Sequence, residues 1–241
     1  MAALRAVGIT KRYGTVVALD RVTFEVASGE CVALVGESGS GKTTLVRTFN
    51  RMVEPDGGGV LIDDTPAASL DVVALRRRIG YVPQDGGLFP HWRVRRNVAL
   101  VPWLQRDPDA DERGRRALEL VGLDWREFGT RWPRGLSGGQ RQRVAVARAL
   151  AGGPSVLLLD EPFGALDAIT RSELQGMFRA LRARLSITTL LVTHDLREAM
   201  ELGDRIAVMH RGRLQQIGPI AQLRDAPASP YVAALLAQGS W

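Results

Sequence analysis

Nine consecutive residues, Gly36-Glu37-Ser38-Gly39-Ser40-Gly41-Lys42-Thr43-Thr44, hold the densest chemistry in the chain. They satisfy the pattern G-x-x-x-x-G-K-[ST]. Three glycines let the backbone curl, so successive N–H groups can point into one concavity and form an anion nest. The apolar spacing of Leu45, Val46, Phe49 and Met52 predicts a helix directly afterwards, whose first N–H groups and positive dipole end face the same concavity. Lys42 supplies a point charge for β- and γ-phosphates, and the Thr43 hydroxyl can join an Mg2+ shell. The chain has 32 Lys and Arg, yet only Lys11 and Lys42 are lysines. A compact ammonium, not a planar guanidinium, suits a point-charge phosphate contact.

Two acids complete a hydrolytic set. The run Val156-Leu157-Leu158-Leu159 reads as a strand buried on both faces, and Asp160-Glu161 follow it. Asp160 stands where a carboxylate holds Mg2+ beside a phosphate loop. Glu161, one residue on, stands where a base can polarise an attacking water. His194 follows another buried run, Ile187 to Val192; there it can reach a γ-phosphate or orient a water, where most lone histidines are surface or core residues. Leu136-Ser137-Gly138-Gly139-Gln140 opens a long helix, with Ser137 as N-cap and Gln140 at the capping-box position. The turn is either a well-capped helix start or a second anion site at a helix N-terminus. Tyr13, beside a turn ahead of the phosphate loop, either packs or stacks on a purine. Gln84 leaves the end of a strand, where parallel sheets bind ligands.

The elements that must position these groups follow from periodicity. Leu4 to Ile9 and Val22 to Val26 alternate as antiparallel strands, and Cys31 to Val35 is the apolar strand that delivers the phosphate loop. Val60-Leu61-Ile62 and Ile79 to Pro83 are further strands, with helical spacing between them from Leu70 to Arg77. From Asp85 to about Gly135 helical spacing takes over, punctuated by prolines, with Trp92, Trp103, Trp125 and Trp132 as anchors for a core or an interface. Gly164-Ala165-Leu166-Asp167 turns into a helix through Leu174, Phe178 and Leu181. A hairpin around Arg211-Gly212 and short helices lead to Trp241. The expected fold is α/β: one domain over 1–241, with 1–84 and 151–241 as the core and 85–150 as an inserted helical subdomain.

The bulk properties narrow the class. The chain has 241 residues, 45% hydrophobic and 24% charged, enough to bury a sizeable core. No apolar run approaches the roughly 20 residues that cross a bilayer, and the N-terminus lacks the apolar core of a signal peptide. Cys31 is the single cysteine, which fits a reducing compartment and a buried small side chain. The net charge of +6 is spread over short arginine clusters, Arg76 to Arg78, Arg93 to Arg96 and Arg113 to Arg116. None is interleaved with aromatics as a stacking platform would be. Solvated helix faces rank first for them, acidic lipid or a membrane partner second, and nucleic acid last.

Taken together these residues resemble the ATP-binding cassette (ABC) ATPase family over nearly the whole chain. Gly36 to Thr44 is similar to its Walker A loop, Val156 to Asp160 to its Walker B strand, and Leu136 to Gln140, continued by Arg141-Gln142-Arg143, to its signature. Gln84 matches the Q-loop, Leu166-Asp167 the D-loop, His194 the switch histidine and Tyr13 the adenine-stacking aromatic. The resemblance implies a RecA-like P-loop NTPase core with an antiparallel β subdomain and an inserted α-helical subdomain. It implies ATP and Mg2+ as cofactors, the metal held by Thr43, Gln84 and Asp160. Two cassettes would pair head to tail, Walker A of one facing Ser137, Gly138, Gly139 and Gln140 of the other, in a homodimer. Glu161 would be the base, His194 the γ-phosphate sensor, Asp167 a link between the sites, and Gln84 the coupling to the helical subdomain. That subdomain would dock on transmembrane permease subunits, on the cytoplasmic face of the inner membrane, with an extracytoplasmic solute-binding protein as an indirect partner and no nucleic acid.

Asn50 to Pro55, Gly87 to His91 and Asn97 to Pro102 look like cassettes of quaternary-amine importers. The implied cargo is an osmoprotectant such as glycine betaine, choline or carnitine, with amino acids or organo-sulfur compounds behind it. The C-terminal regulatory domains of many such cassettes are not expected in this chain. A soluble cassette acting on nucleic acid or the ribosome would need a second cassette or a coiled-coil insertion, and a P-loop kinase would leave Ser137-Gly138-Gly139 and His194 without a role.

Overall fold

The structure, a computed structural model, describes residues 3–164 and 166–238. The chain opens with β1 (Leu4–Tyr13), β2 (Val16–Val26), β3 (Cys31–Val35), α1 (Lys42–Phe49), β4 (Gly57–Ile62) and β5 (Thr65–Pro66). There follow α2 (Val72–Arg78), β6 (Ile79–Val82), α3 (Val94–Val98), α4 (Leu100–Leu104), α5 (Ala110–Leu120) and α6 (Trp125–Phe128). Next come α7 (Gly138–Ala151), β7 (Val156–Asp160), α8 (Ala168–Leu185) and β8 (Thr188–Val192). The chain closes with α9 (Leu196–Leu202), β9 (Arg205–His210), β10 (Arg213–Gly218), α10 (Ile220–Asp225) and α11 (Pro230–Gln238). By packing, it divides into one unit of residues 1–76 with 188–241 and a second of residues 77–187. Ala165, in the turn expected before α8, lies outside the described residues, as do Met1, Ala2 and the last residues to Trp241.

In the first unit an antiparallel sheet runs in the order β2-β1-β4-β5. Both strands of the opening hairpin are longer than their alternation suggests. β1 runs on to Tyr13, which pairs with Val16, through register shifts between Ala6 and Ile9, Ile9 and Lys11, and Lys11 and Arg12. Each irregularity breaks the period of two that marks a strand in sequence. A second set of strands lies in the order β10-β9-β3-β8, with β3 parallel to both neighbours. β3 and β8 are buried along their whole length, as continuous apolar runs in parallel sheets are. Cys31 is fully buried. Val35 of β3, Val208 of β9, Ala199 of α9 and Val232 of α11 share one core, against which Tyr231, Leu235 and Leu236 pack.

The second unit is built on parallel β6 and β7, with Ile79 opposite Val156 and Val82 opposite Leu159. All five residues of β7 are buried. α7 carries buried Val144, Val146, Ala147 and Leu150, and α8 buries Leu174, Phe178 and Leu181; Phe178 meets Phe163 edge to face at 6.2 Å. The strand-poor stretch after Gln84 is tied by buried Asn97. Its Oδ1 accepts from Phe89 N at 2.8 Å, while its Nδ2 donates to Phe89 O at 3.1 Å and Trp92 O at 3.0 Å. The arginines of α5 lie on a solvated face, Arg115 bridging Glu112 and Glu119 and Arg116 bonding Glu112. Arg93 lies 5.0 Å from the Trp132 ring and Arg96 4.2 Å from the Trp92 ring, contacts within the chain that the sequence reading did not address.

Candidate active site

In the first unit the glycine loop leaves the carboxyl end of β3, as ligand loops of parallel sheets do. Gly36, Gly39 and Gly41 have φ of 150°, 78° and 102°, a region that strongly favours glycine. Gly36 also has no room for a side chain, since a Cβ there would lie 2.1 Å from the Met209 carbonyl oxygen. Glu37, Ser38 and Gly39 are exposed at the rim, and Ser40 is buried beneath it. Lys42 begins α1, is only 5% exposed, and turns back into the loop. Its Nζ donates to Gly36 O at 2.6 Å and Glu37 O at 2.8 Å, and reaches Ser40 Oγ at 3.5 Å. A full positive charge is thereby held inside the curl. Thr43 and Thr44 are half-buried in the first turn of α1.

Two further expected residues belong to this unit. Tyr13 closes β1 and is 51% exposed, with Lys11 Nζ lying over its ring 5.6 Å from the centre. His194 follows β8 and is exposed. Its backbone is held by neighbours that sequence reading missed. Buried Thr193 donates its hydroxyl to Glu198 Oε2 at 2.5 Å and accepts from Asp195 N at 3.0 Å. Asp195 in turn caps α9 through Arg197 N at 2.8 Å. The signal was present as Asp195 three residues before Glu198, a capping pattern.

In the second unit the parallel register of β6 and β7 sends Gln84 and the Asp160-Glu161 pair out of the same end of the sheet. Asp160 is 2% exposed and accepts from the Tyr81 hydroxyl at 3.3 Å. Gln84 Nε2 donates to Glu161 Oε2 at 3.3 Å, joining two of the expected residues directly. Glu161 has φ of 49°, a left-handed conformation uncommon outside glycine and often found at functional sites.

Ser137 forms the expected capping box, its Oγ accepting from Gln140 N at 3.2 Å and its own N–H donating to Gln140 Oε1 at 3.0 Å. Gly139 is required by packing within the chain itself: a Cβ there would meet Thr170 Cγ2 at 2.3 Å. Thr170 belongs to α8, whose N-cap is Asp167, accepting from Thr170 N at 3.0 Å. That amide holds the Asp167 carboxyl below the ordinary carboxylate range. The turn at Ser137-Gly138-Gly139 and the start of α8 are therefore one packed piece. Arg148 of α7 was not anticipated. Its Nη1 donates to Gly87 O at 2.6 Å and its Nη2 to Gly86 O at 2.8 Å, pinning the strap just past Gln84, while burial lowers its pKa. Nothing in the local sequence around Arg148 points to that strap.

Residues 19–164 match the family described as ABC transporter. The sulfate/thiosulfate import ATP-binding protein of Mycobacterium tuberculosis is 48% identical over 229 residues, which are 94% of this chain and 64% of that protein. The glycine betaine/carnitine/choline transport ATP-binding protein of Bacillus subtilis is 44% identical over 217 residues, 89% of this chain and 57% of that one. This chain thus spans less than two thirds of either relative's length. Among solved structures, the ATP-binding cassette MJ0796, a dimer in a post-hydrolysis state bound to ADP and Pi, superposes with a TM-score of 0.79 at 32% identity. The match covers 91% of this chain and 99% of that one.

Proposed function

Since this chain belongs to the ABC transporter family of ATP-binding cassettes, we propose that it binds and hydrolyses ATP to drive import of a small solute. One observation carries the reading: the Lys42 ammonium is held within a loop of three positive-φ glycines at the start of a helix. The loop binds the β- and γ-phosphates through its amides and Lys42. Tyr13 offers its ring to the adenine. Glu161 takes a proton from the attacking water, its carboxylate steadied by the Gln84 amide, and His194 faces the γ-phosphate. Thr43, Gln84 and Asp160 offer only oxygen donors, the set that suits Mg2+. When bound, that ion neutralises charge on the phosphates.

Pairing of two copies is supported by the dimeric state of the MJ0796 cassette. Ser137, Gly138, Gly139 and Gln140 then close the nucleotide of the facing copy, and Asp167 links the two sites. Among the described residues no helix is long and apolar enough to cross a membrane. We place the chain peripherally on the cytoplasmic face, bound to permease subunits through the helical segment 85–150, with a solute-binding protein acting on the far side. A cavity of about 290 Å3 in that segment is lined by Trp92, Arg95, Arg96 and Trp103, and Trp103 is 65% exposed, which suits a protein partner. The relatives supply two cargo classes, a quaternary amine and a sulfur oxyanion, and uptake of labelled choline against labelled sulfate in a deletion strain separates them. The catalytic reading is tested with purified protein. Lys42→Ala is expected to lose ATP binding, whereas Glu161→Gln keeps binding and loses hydrolysis. Undiminished hydrolysis by both variants would overturn it.

A further inference from the structure

The peptide unit that opens the phosphate loop is gripped at both edges. Its carbonyl, Gly36 O, accepts from Lys42 Nζ at 2.6 Å. Its N–H, on Glu37, donates to the Tyr231 hydroxyl at 3.3 Å. A trans peptide directs these two groups to opposite sides, so the pair of bonds fixes the orientation of the plane about its two soft flanking torsions. The lysine is part of the loop's own helix. The tyrosine comes from the far end of the chain, on α11.

Tyr231 is itself held from outside the loop. Its ring stacks on His210, the last residue of β9, with centroids 3.8 Å apart and planes at 28°. The next residue, Val232, is fully buried in the core that includes Val35, the residue before the loop, and Val208 of β9. Burial pushes the phenol pKa up, so the hydroxyl keeps its proton at neutral pH. The Glu37 carboxylate lies 3.9 Å from His210 Nδ1, so the loop residue approaches the stacked pair through both its backbone and its side chain.

We propose that Tyr231 is a positioning residue for the phosphate loop, presetting the Gly36–Glu37 peptide plane so that less of the loop must be ordered when a nucleotide phosphate binds. The proposal rests on the reading of this loop as the ATP site. A preset loop raises affinity by removing an ordering cost from the binding step, and it leaves the chemical step to other groups. The effect is therefore on binding and not on turnover. It also makes α11 a handle on nucleotide affinity, because whatever shifts that helix moves the acceptor of the Glu37 N–H.

The test is Tyr231→Phe, which keeps the ring and its stack on His210 and removes only the hydroxyl. Titration calorimetry with ATP and Mg2+, steady-state hydrolysis and the melting temperature of the nucleotide-free protein are measured together. The Kd and KM for ATP are expected to rise about three- to fivefold, because the freed peptide must be ordered on binding, with kcat unchanged and the melting temperature lowered by no more than the loss of one neutral hydrogen bond allows. A Kd equal to wild type overturns the proposal, as does a lowered melting temperature with KM unchanged, which would make the hydroxyl a packing group only. If the wild-type chain itself binds no ATP, the nucleotide reading of the loop fails, a result distinct from either.

Discussion

Glu161 and Gly139 depend on opposite kinds of information. Glu161 is placed by its own stretch of chain, at the end of a buried strand, and the local sequence alone displays both its type and its position. In its proposed role as general base it is expected to contribute about 10²–10⁴-fold to turnover. Glu161→Gln should therefore lower hydrolysis by at least about 10²-fold while leaving ATP affinity within a few-fold, measured by phosphate release and equilibrium binding. Gly139 is legible in sequence as a turn residue, but its close neighbour is Thr170, on another helix, and no local pattern encodes that contact. Gly139→Ala forces a Cβ into Thr170 Cγ2 and should cost about 1–3 kcal/mol in chemical denaturation. Adding Thr170→Ser, which deletes that methyl and keeps the hydroxyl, should recover much of the loss. A stable Gly139→Ala single variant would show that the turn relaxes freely.

At the scale of elements, α8 and α7 show what holds the site together. Asp167 caps α8, and the Thr170 amide depresses its pKa below the ordinary 3.8. A carboxylate with a depressed folded pKa stabilises the protein above its unfolded pKa, and that contribution is lost as pH falls through the folded value. The melting-temperature advantage of wild type over Asp167→Ala should thus be level above about pH 5 and vanish on acidification below 3.8. An advantage independent of pH would show that the charge of the Asp167 carboxylate plays no part in the cap. Arg148 spans from α7 to the carbonyls of Gly86 and Gly87 with a planar fork that lysine cannot copy. Arg148→Lys should cost about 1–3 kcal/mol and speed amide exchange over residues 85–89, detectable by mass spectrometry. The strands and the long helices were legible because buried parallel strands are continuous apolar runs and α7 announces itself with a capping box. The bulged hairpin of β1 and β2 was underestimated because register shifts erase alternation, and the Arg148 strap was invisible because its partners are backbone carbonyls.

For the molecule as a whole, the phosphate loop, Tyr13 and His194 belong to the unit of residues 1–76 and 188–241, while Gln84, Ser137, Asp160, Glu161 and Asp167 belong to residues 77–187. Family membership followed from the spacing of motifs, which sequence displays directly. The cargo did not, because on this account a cassette touches the permease and not the solute. The central claim is that each chain owns two partial ATP sites that only a facing copy completes. Sedimentation velocity of Glu161→Gln with ATP and Mg2+, with and without the additional change Ser137→Arg, tests it most directly. The account predicts a nucleotide-dependent shift from monomer to dimer in the single variant and none in the double variant, with both still binding ATP. A single variant that binds ATP and stays monomeric at concentrations where wild type hydrolyses it would contradict the account.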